Sequence, residues 1–566
     1  MSSPAVPDSQ VLIVRWILII GICLAGLTRP GLAQNSPPRG SSSQQSVTEG
    51  TPEREKPRRG ISVEEMKPLI DKAIAEKQIV TNLKARIAKR KIVFDVTLGP
   101  NAEEEPWIIL LNLTDEKFAA SNKEYAADGY RVLVDNTIVA NKQQLHSVVW
   151  VRDAEQSTEV DLQLPPGEIP SGGSATPDLP EVSKMMVSFL RDHNVPGATL
   201  AISKDGSVIY SRSFGYSKLE PLQQMAPETQ LRIASISKPI TAVAILQLVE
   251  GGLITLDTRV LDVLNELDAL KGRNGEPLSA PTDVRWQKIT VRDLLHHSGG
   301  WDRSVSKDPM FQVAQITQKK RLLHTATTYD IIRNQLEQPL DFEPGSKTAY
   351  SNFGYCLLGR IIERVTGKSY ADYVTEKILV PSGMKRTQLG KTRFQDRTNT
   401  ESQYFTQRKS QHPAFWEALV GTKRSTLPEV VPAPYGQWDL EVMDSHGGWI
   451  STSEDLLNFS AALERDESPL LSSESRAIML ERPAFDQSGE SSWYGCGWNV
   501  RRVGTDGVNF WHVGGLAGTS TLLVRRSDGY AWAVLFNIDE TKDSKRCSDI
   551  IDPLIHHAVD RSHPAK

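Results

Sequence analysis

Two hairpin patterns mark the ends of a long C-terminal region of the chain. Near its start, the apolar runs 198–203 and 208–214 flank the turn Lys204-Asp205-Gly206. Near its end, runs 521–526 and 531–537 flank Ser527-Asp528-Gly529 in the same way. Helical periodicity precedes the first hairpin and follows the second, over 181–193 and 550–559. The pattern predicts an α+β fold, in which an antiparallel sheet built from both ends of the domain is flanked by helices and a helical subdomain is inserted in the middle.

A shorter N-terminal region carries a pattern that occurs twice, each time as one helix followed by two strand-like runs. The first copy has its helix near 63–78 and its runs at 92–98 and 107–111. The second copy has its helix at 115–128, a stop at Gly129, and runs at 131–139 and 145–151. Trp107 and Trp150 fall at comparable points on the closing runs. This predicts a small α+β repeat module at 61–163, either for packing alone, which we favour, or for binding a ligand.

Segments without periodicity separate these regions. Residues 34–60 are rich in Ser, Gln, Pro, Gly and Arg, a composition typical of a disordered linker, and 164–178 form a second linker. The C-terminal domain, which contains the two hairpins, therefore covers 179–566. Residues 1–33 resemble an export signal, because Arg15 precedes an apolar run too short to span a bilayer and Gly31-Leu32-Ala33 offers small residues for cleavage. We expect an exported protein, periplasmic or secreted, with no transmembrane segment after cleavage; the alternative is a membrane tether formed by an uncleaved signal anchor.

Composition narrows the possible partners. The net charge of −4 over 566 residues gives no strong field for nucleic acid, so we expect no nucleic-acid partner. After signal cleavage three cysteines remain, which excludes a disulfide framework but leaves open one bridge or buried free thiols. The chain has no CxxC and no HExxH pattern, so the sequence supports no metal site and no cofactor.

The first candidate for chemistry is Ser235-Ile236-Ser237-Lys238 at the head of an apolar helical run that ends at Gly251. Pro239 fits the first turn of such a helix. Ser235 then lies near the unsatisfied N–H groups of the helix start, and Lys238, three residues on, can reach its hydroxyl. A serine needs such a basic partner to become a nucleophile. The alternative is an ordinary helix cap.

Two further motifs supply what such a nucleophile needs. Tyr350-Ser351-Asn352 precedes a helix-like stretch at 355–365, and a phenol beside a cation can lose its proton below its usual pKa of about 10. His512-Val513-Gly514-Gly515 stands just before the C-terminal hairpin, where glycines let a substrate lie close and the Gly515 amide can donate to an oxyanion. Each motif alone is also typical of an ordinary loop or turn.

Together, SxxK, YxN and HxG in this order resemble the class C β-lactamases and their relatives, the DD-peptidases, D-aminopeptidases and family VIII esterases. A sister pattern characterises class A β-lactamases and penicillin-binding proteins. Segments 195–197, 294–300 and 447–452 are also similar to the family, and the resemblance runs from about residue 179 to 559. It implies a β-lactamase/transpeptidase-like fold. The repeat module resembles the small repeats beside the catalytic domain of fungal polyglycine hydrolases.

The resemblance also implies roles for the site residues. Ser235 would attack the carbonyl group, Tyr350 and Lys238 would move the proton, and the N–H groups of Ser235 and Gly515 would stabilise the oxyanion. Asn352, His512 and Gly514 would bind and orient the substrate. That substrate is expected to be a small molecule or peptide of cell-wall type.

Two departures from the family pattern narrow the activity. Val513 replaces a threonine whose hydroxyl helps to bind a substrate carboxylate, a loss of about 1–3 kcal/mol if the carboxylate is buried. We therefore expect hydrolysis of an ester or amide rather than efficient β-lactam hydrolysis. His512 replaces a lysine, and at its reference pKa of about 6.5 it would make the rate change between about pH 5.5 and 7.5.

The gap between the SxxK and YxN motifs is longer than the family norm, and we place the extra residues near 303–325, a basic and poorly periodic segment. It is either a lid over the cleft or a solvated insertion. Trp301, Trp416 and Trp438 either line the site or belong to the core, as buried aromatics usually do. One competing function is a penicillin-binding-like sensor or peptidoglycan-binding protein that acylates slowly without turnover. The other is an adhesion protein in which the repeat module is the functional part.

Overall fold

The structure is a computed structural model that describes residues 14–15, 57–89, 91–101, 107–127, 130–140, 142–151, 162–175, 179–265, 280–407, 411–418, 430–505 and 507–562. The chain divides into two compact units, Met1–Thr158 and Glu159–Lys566. The linker 34–60 and most of the expected export signal lie outside the described residues. The domain bounds drawn from the sequence remain predictions.

In its described residues, the N-terminal unit contains two sheets and two helices. Its elements are β1 (Val14–Arg15), β2 (Arg58–Ile61), α1 (Val63–Ala75), β3 (Gln78–Ala88), β4 (Lys91–Pro100), β5 (Trp107–Thr114), α2 (Asp115–Ala127), β6 (Arg131–Ala140) and β7 (Gln143–Val151). The strand orders are β2-β4-β3 and β1-β5-β7-β6. The order strand, helix, strand, strand therefore occurs twice within this unit.

The structure corrects the proposed equivalence of Trp107 and Trp150. Strand β3 was not expected; it pairs with β4 along its whole length and completes the first copy. Strand β5 pairs instead with β7, with Ile108 opposite Trp150, so Trp107 opens the second copy rather than closing the first. The alternation of Leu83, Ala85 and Ile87 with charged residues is the signal for β3.

A nine-stranded antiparallel sheet organises the second unit. Its order is β11-β10-β9-β21-β20-β19-β18-β17, and β8 pairs with the outer side of β10. The strands are β8 (Ser171–Ala175), β9 (Gly197–Lys204), β10 (Ser207–Leu219), β11 (Leu222–Gln224), then β17 (Ser492–Tyr494), β18 (Asn499–Val503), β19 (Gly507–Leu516), β20 (Thr519–Arg525) and β21 (Tyr530–Phe536). The first and last strands of the domain meet where β9 pairs with β21. The predicted α+β fold with a sheet from both ends is confirmed.

The two faces of this sheet bury different cores. Along β21, Trp532, Val534 and Phe536 pack towards α3 (Pro180–Asp192) and α15 (Cys547–Ser562). Ala533 and Leu535 pack towards the helical region on the opposite face. Because both faces are buried, the strand is a continuous apolar run in the sequence, and the hairpin was predicted from that run and its turn.

The helical region between the two halves of the sheet holds the remaining elements. Its helices are α4 (Ser237–Glu250), α5 (Val260–Leu264), α6 (Val291–Leu295), α7 (Val313–Lys319), α8 (Thr328–Leu336), α9 (Asn352–Thr366), α10 (Tyr370–Val374), α11 (Val380–Ser382), α12 (Asp444–Gly447), α13 (Ser453–Glu464) and α14 (Ser473–Leu480). Its short strands are β12 (Leu231–Arg232), β13 (Gln388–Leu389), β14 (Gln411–Pro413), β15 (Val430–Pro432) and β16 (Trp449–Ser451). Helix α4 is buried nearly all round, which fits apolar side chains on every face of its central part.

Helix α15 differs from the expected closing helix in where it begins. It starts at Cys547, so Pro553 lies inside the helix rather than in its first turn. The buried side chains Ile551 and Ile555 on either side of the proline anchor the helix in the core it shares with α3. Cys356, Cys496 and Cys547 are buried free thiols, so these three cysteines form no bridge. Among the helices in the described ranges, none is both long and apolar enough to cross a bilayer.

Candidate active site

Ser235 lies in a tight turn between β12 and α4. Residues Ala234–Ile236 form a 3-10 turn, and Ala234 adopts a left-handed backbone with φ of 46°. This conformation is strained by about 1–2 kcal/mol for a residue with a side chain. The hydroxyl of Ser237 donates to the Ala234 carbonyl at 2.6 Å and holds the turn. Within residues 231–240 only Ser235 is not fully buried, so the turn presents one hydroxyl at the head of a buried helix.

Lys238, in the first turn of α4, is enclosed by three oxygens. Its Nζ lies 3.0 Å from Ser235 Oγ, 2.7 Å from Asn352 Oδ1 and 2.9 Å from the carbonyl oxygen of His446. The side chain is fully buried, and this burial lowers the pKa of Lys238 well below 10.5; nearby Asp308 opposes the shift and Arg303 adds to it. The amine is thus driven towards its neutral form.

The partners of Lys238 determine where its lone pair points. A neutral amine has two N–H groups and one lone pair. The amide oxygen of Asn352 and the carbonyl oxygen of His446 can only accept, so they take both N–H groups. The lone pair then faces Ser235 Oγ, which is the arrangement that a base needs to remove the serine proton.

The start of α9 places Tyr350 and Asn352. Ser351 caps this helix, and its hydroxyl accepts a hydrogen bond from the N–H of Gly354 at 3.2 Å. Tyr350 precedes the cap, with its ring centroid 4.3 Å from that of His297. His297 Nδ1 accepts from the Ser351 N–H at 3.2 Å, which ties the turn to the loop after α6.

Tyr350 keeps its proton in this environment. Its ring centroid is 4.7 Å from Lys238 Nζ, and its hydroxyl hydrogen-bonds with Ser235. Burial raises the pKa of Tyr350, and the hydrogen bond with Ser235 only partly opposes the rise. This direction is opposite to the expected loss of the phenolic proton beside a cation, because burial of the phenol disfavours its charged form.

Asp308 completes a chain of polar contacts to the nucleophile. Its Oδ2 accepts from Asn352 Nδ2 at 2.7 Å, while Asn352 Oδ1 accepts from Lys238. Asp308 belongs to segment 303–325, and Arg303 and Phe311 from the same segment line the cleft. The segment therefore contributes directly to the site.

Strand β19 brings the third motif against the nucleophilic turn. A Cβ on Gly514 would lie 2.2 Å from the carbonyl oxygen of Ile233 and 2.2 Å from Thr521 Oγ1, so no side chain fits there. Gly515, in contrast, is exposed and lines the cleft together with Ser235. Gly514 thus sets the close approach of the strand, and Gly515 faces the cleft.

His512 is held as a neutral imidazole, which corrects the expected titration near pH 6.5. Its Nδ1 lies 2.7 Å from the Val513 carbonyl oxygen, which only accepts, so Nδ1 carries the proton. Its Nε2, 3.0 Å from the Tyr494 hydroxyl, is then the acceptor. Burial lowers the pKa of His512 to about 3, and Lys238 adds to the shift. The imidazole has no proton to exchange between about pH 5.5 and 7.5.

Five of the seven predicted site residues line one cleft with about 830 Å³ of empty space. They are Ser235, Tyr350, Asn352, His512 and Gly515. Lys238 lies beneath the cleft, and Gly514 packs behind the strand. None of Trp301, Trp416 and Trp438 lines the cleft; all three are buried in the core.

Several lining residues were not identified from the sequence. Tyr494 carries the hydrogen bond to His512, and His446 supplies the carbonyl to Lys238. Arg303 and Arg546 bring positive charge to the cleft. His446 immediately precedes segment 447–452, which is similar to the family, and that neighbourhood was its only signal in the sequence. Among the described residues, no group of three His, Cys, Asp or Glu side chains could hold a metal ion.

Comparisons with known proteins match the region of the chain that contains all three motifs. A family model described as Beta-lactamase matches residues 182–553. Penicillin-binding protein 4* of Bacillus subtilis (strain 168) is 28% identical over 339 residues, which cover 59% of this chain and 66% of that protein. The chain covers less than two thirds of the length of the curated relatives that it matches.

Solved structures show the same fold. The octameric penicillin-binding protein homologue from Pyrococcus abyssi is 25% identical with a TM-score of 0.50, and the match covers 68% of this chain and 78% of that one. The D-amino acid amidase from Ochrobactrum anthropi SV3, complexed with L-phenylalanine, is 21% identical with a TM-score of 0.51. That match covers 68% of this chain and 99% of the amidase.

Proposed function

This chain belongs to the beta-lactamase family, and from that premise we propose that it is a serine hydrolase that cleaves an ester or amide bond through an acyl-enzyme on Ser235. The observation that carries the proposal is the 3.0 Å contact between Ser235 Oγ and a buried amine whose N–H groups are both taken by acceptors. A lysine with a purely structural role is usually charged and paired with a carboxylate. Lys238 instead contacts only neutral oxygens, and its burial favours the neutral amine that a base requires.

In the proposed reaction, Ser235 Oγ adds to the substrate carbonyl carbon while its proton passes to Lys238 Nζ. The N–H groups of Ser235 and Gly515 donate to the oxyanion that forms. Tyr350, which is protonated before the reaction starts, donates its proton to the leaving group and regains one from Lys238. The leaving group departs as an alcohol or amine and leaves an ester on Oγ, which water then hydrolyses. Asn352 and His512 orient the substrate and the amine.

The proposed substrate is an ester, peptide or D-amino-acid amide rather than a β-lactam that is turned over efficiently. Val513 offers no hydroxyl to a substrate carboxylate, which favours a neutral group at that position. Arg303 and Arg546 favour a carboxylate elsewhere in the cleft, as in a peptide with a free C-terminus. The name of the Bacillus subtilis relative supports acylation by penicillin-like compounds.

We further propose that the enzyme acts outside the cytoplasm. Support comes from Arg15, the apolar run after it and the small residues at 31–33, which together resemble an export signal. Fractionation of cells expressing the tagged full chain, with N-terminal sequencing of the mature protein, tests this. A mature N-terminus near residue 34 in the extracytoplasmic fraction is expected, and full-length protein in the cytoplasm would contradict it.

The test of the activity is labelling with a fluorophosphonate and with a fluorescent penicillin, followed by peptide mass mapping. We expect one adduct, on Ser235, and none on the Ser235→Ala variant. An adduct from p-nitrophenyl butyrate that decays with release of butyrate supports an enzyme. A persistent adduct indicates a sensor that does not turn over, and label on another residue of a folded sample contradicts the assignment.

A further inference from the structure

Asp308 is held between the start of a turn and the side chain of Asn352. It caps the 3-10 turn Pro309–Phe311, and its Oδ1 accepts from the N–H of Met310 at 3.0 Å. The cap needs only one carboxylate oxygen. The other oxygen, Oδ2, accepts from Asn352 Nδ2 at 2.7 Å. Because the Met310 side chain is fully buried in the core, the turn fixes the position of the carboxylate.

Both contacts of Asp308 are those of an ionised carboxylate. A backbone N–H and an amide N–H can only donate, so neither can take a proton from a carboxylic acid. Burial raises the pKa of Asp308, while the N–H groups of Met310 and Asn352 and the nearby Lys238 and Arg303 oppose the rise. With a donor at each oxygen, Asp308 is negatively charged in the resting site.

The amide of Asn352 connects this carboxylate to the amine of Lys238. Its Nδ2 donates to Asp308, and its Oδ1 accepts from Lys238 Nζ at 2.7 Å. The reversed amide would place oxygen against oxygen at Asp308, so the carboxylate fixes this orientation. Hydrogen bonds in such a chain polarise one another. The charge of Asp308 therefore makes Oδ1 more negative, which stabilises an ammonium more than a neutral amine.

Two charges of opposite sign act on Lys238 from the same segment, 303–325. Burial lowers the pKa of Lys238 most, Asp308 raises it, and Arg303 lowers it further. The remaining titratable side chains around the amine are uncharged at neutral pH, because burial raises the pKa of the tyrosines and lowers that of the histidines. They are Tyr350, Tyr355, His297, His446 and His512.

On the basis of the proposed function, we infer that Asp308 is a positioning residue that acts through Asn352 to stabilise the ammonium that Lys238 becomes during acylation. In that step the O–H bond of Ser235 breaks and its proton moves to the lone pair of Nζ. At the same time Oγ bonds to the substrate carbonyl carbon, and the carbonyl electron pair moves onto oxygen. Burial alone would make Lys238 a weak base, and the carboxylate restores part of its basicity.

The experiment measures the rate constant for fluorophosphonate labelling of Ser235 in the full chain between about pH 4 and 9. Labelling needs the same proton transfer and no later hydrolysis. Asp308→Asn keeps an acceptor oxygen but removes the charge, so the ammonium of Lys238 is less stable. We expect the midpoint of the acid limb to move down by on the order of one pH unit, and the rate at high pH to fall about three- to tenfold.

Arg303→Gln tests the same electrostatics with the opposite sign. Arg303 is exposed on the cleft, and removal of its positive charge should move the midpoint up. The matched control is Asp341→Asn. Asp341 Oδ2 accepts from the Asp302 N–H at 2.8 Å and from the Ser306 hydroxyl at 2.7 Å, so it holds the start of the same segment. The control should keep the wild-type midpoint.

The midpoint separates an electrostatic role from a structural one, because a loosened loop changes the rate or the yield of folded protein without changing the pKa of Lys238. Asp308→Ala also removes the charge and should show the same midpoint as Asp308→Asn, so it decides the matter if the Asn variant does not fold. An unchanged or raised midpoint on loss of Asp308 overturns the inference, and so does an equal downward shift in Asp341→Asn. A downward shift in Arg303→Gln would also overturn it. Absence of label on Ser235 in folded wild type would instead overturn the proposed function.

Discussion

Replacement of Gly514 by alanine tests whether the close approach of β19 to the nucleophilic turn is needed for catalysis. The new methyl group would lie 2.2 Å from the carbonyl oxygen of Ile233 and 2.2 Å from Thr521 Oγ1, and 3.2 Å from the Cβ of Ala234. It would intrude on the hydrogen bond that Thr521 donates to Ile233 at 3.1 Å. The mutation therefore acts on the backbone two residues before Ser235.

The size of the effect follows from these distances. Cβ contacts below 3.0 Å are essentially never seen, so the strand and the turn must separate by at least about 0.8 Å. A misplacement of about 1 Å in an active site costs on the order of 10²-fold in rate. Overpacking of this kind also lowers the free energy of unfolding by about 1–3 kcal/mol. Both effects should appear together.

The assay is the initial rate of p-nitrophenyl butyrate hydrolysis, with urea unfolding followed by circular dichroism. Gly251→Ala, at the other end of α4, is the matched control, because its φ is ordinary and its methyl group would be 3.4 Å or more from any neighbour. We expect the control to keep both rate and stability. If Gly514→Ala keeps kcat/KM within about threefold of wild type, the strand does not set the geometry of the turn, and the reasoning is refuted.

Three further predictions use other parts of the site. Because an ammonium cannot accept the serine proton, kcat/KM should fall as the pH drops through the lowered pKa of Lys238. The His512→Gln variant should show the same midpoint for this fall. A shifted midpoint would mean that His512 does titrate in this range. Asp308→Ala should lower kcat/KM about tenfold, because Asn352 loses one buried hydrogen bond. The far-ultraviolet circular dichroism spectrum should be unchanged. Full activity would show that Asn352 keeps its position without Asp308. Gly359→Ala places a methyl group 2.5 Å from a buried serine hydroxyl and should lower the free energy of unfolding by about 1–3 kcal/mol, whereas Gly354→Ala in the same helix meets nothing closer than 3.7 Å; equal stability of the two variants in urea unfolding would contradict this.

Local patterns in the chain predicted the sheet and helices that surround the site. The apolar runs of β20 and β21, the turn between them and the helical period of α3 depend on neighbouring residues only, so they are visible without the fold. The order of the three motifs predicted which stretches meet. Strand β3 was missed because charged residues on its exposed face interrupt the apolar run.

The electrostatics of the site followed from packing that no local pattern contains. Isolated reference values suggested an ionised Tyr350 and a titrating His512, but burial raises the pKa of the phenol and lowers that of the imidazole to about 3. Asp308 and His446 approach Lys238 from distant parts of the chain. Their distance in sequence explains why spacing gave no indication of Asp308.

The amino-acid sequence by itself determined which side chains are available for the chemistry and which local elements carry them, because periodicity, caps and glycines act over a few residues. Only the tertiary structure decided which groups are charged and where each lone pair points. Those properties depend on desolvation and on partners tens or hundreds of residues away, and both exist only once the chain has folded.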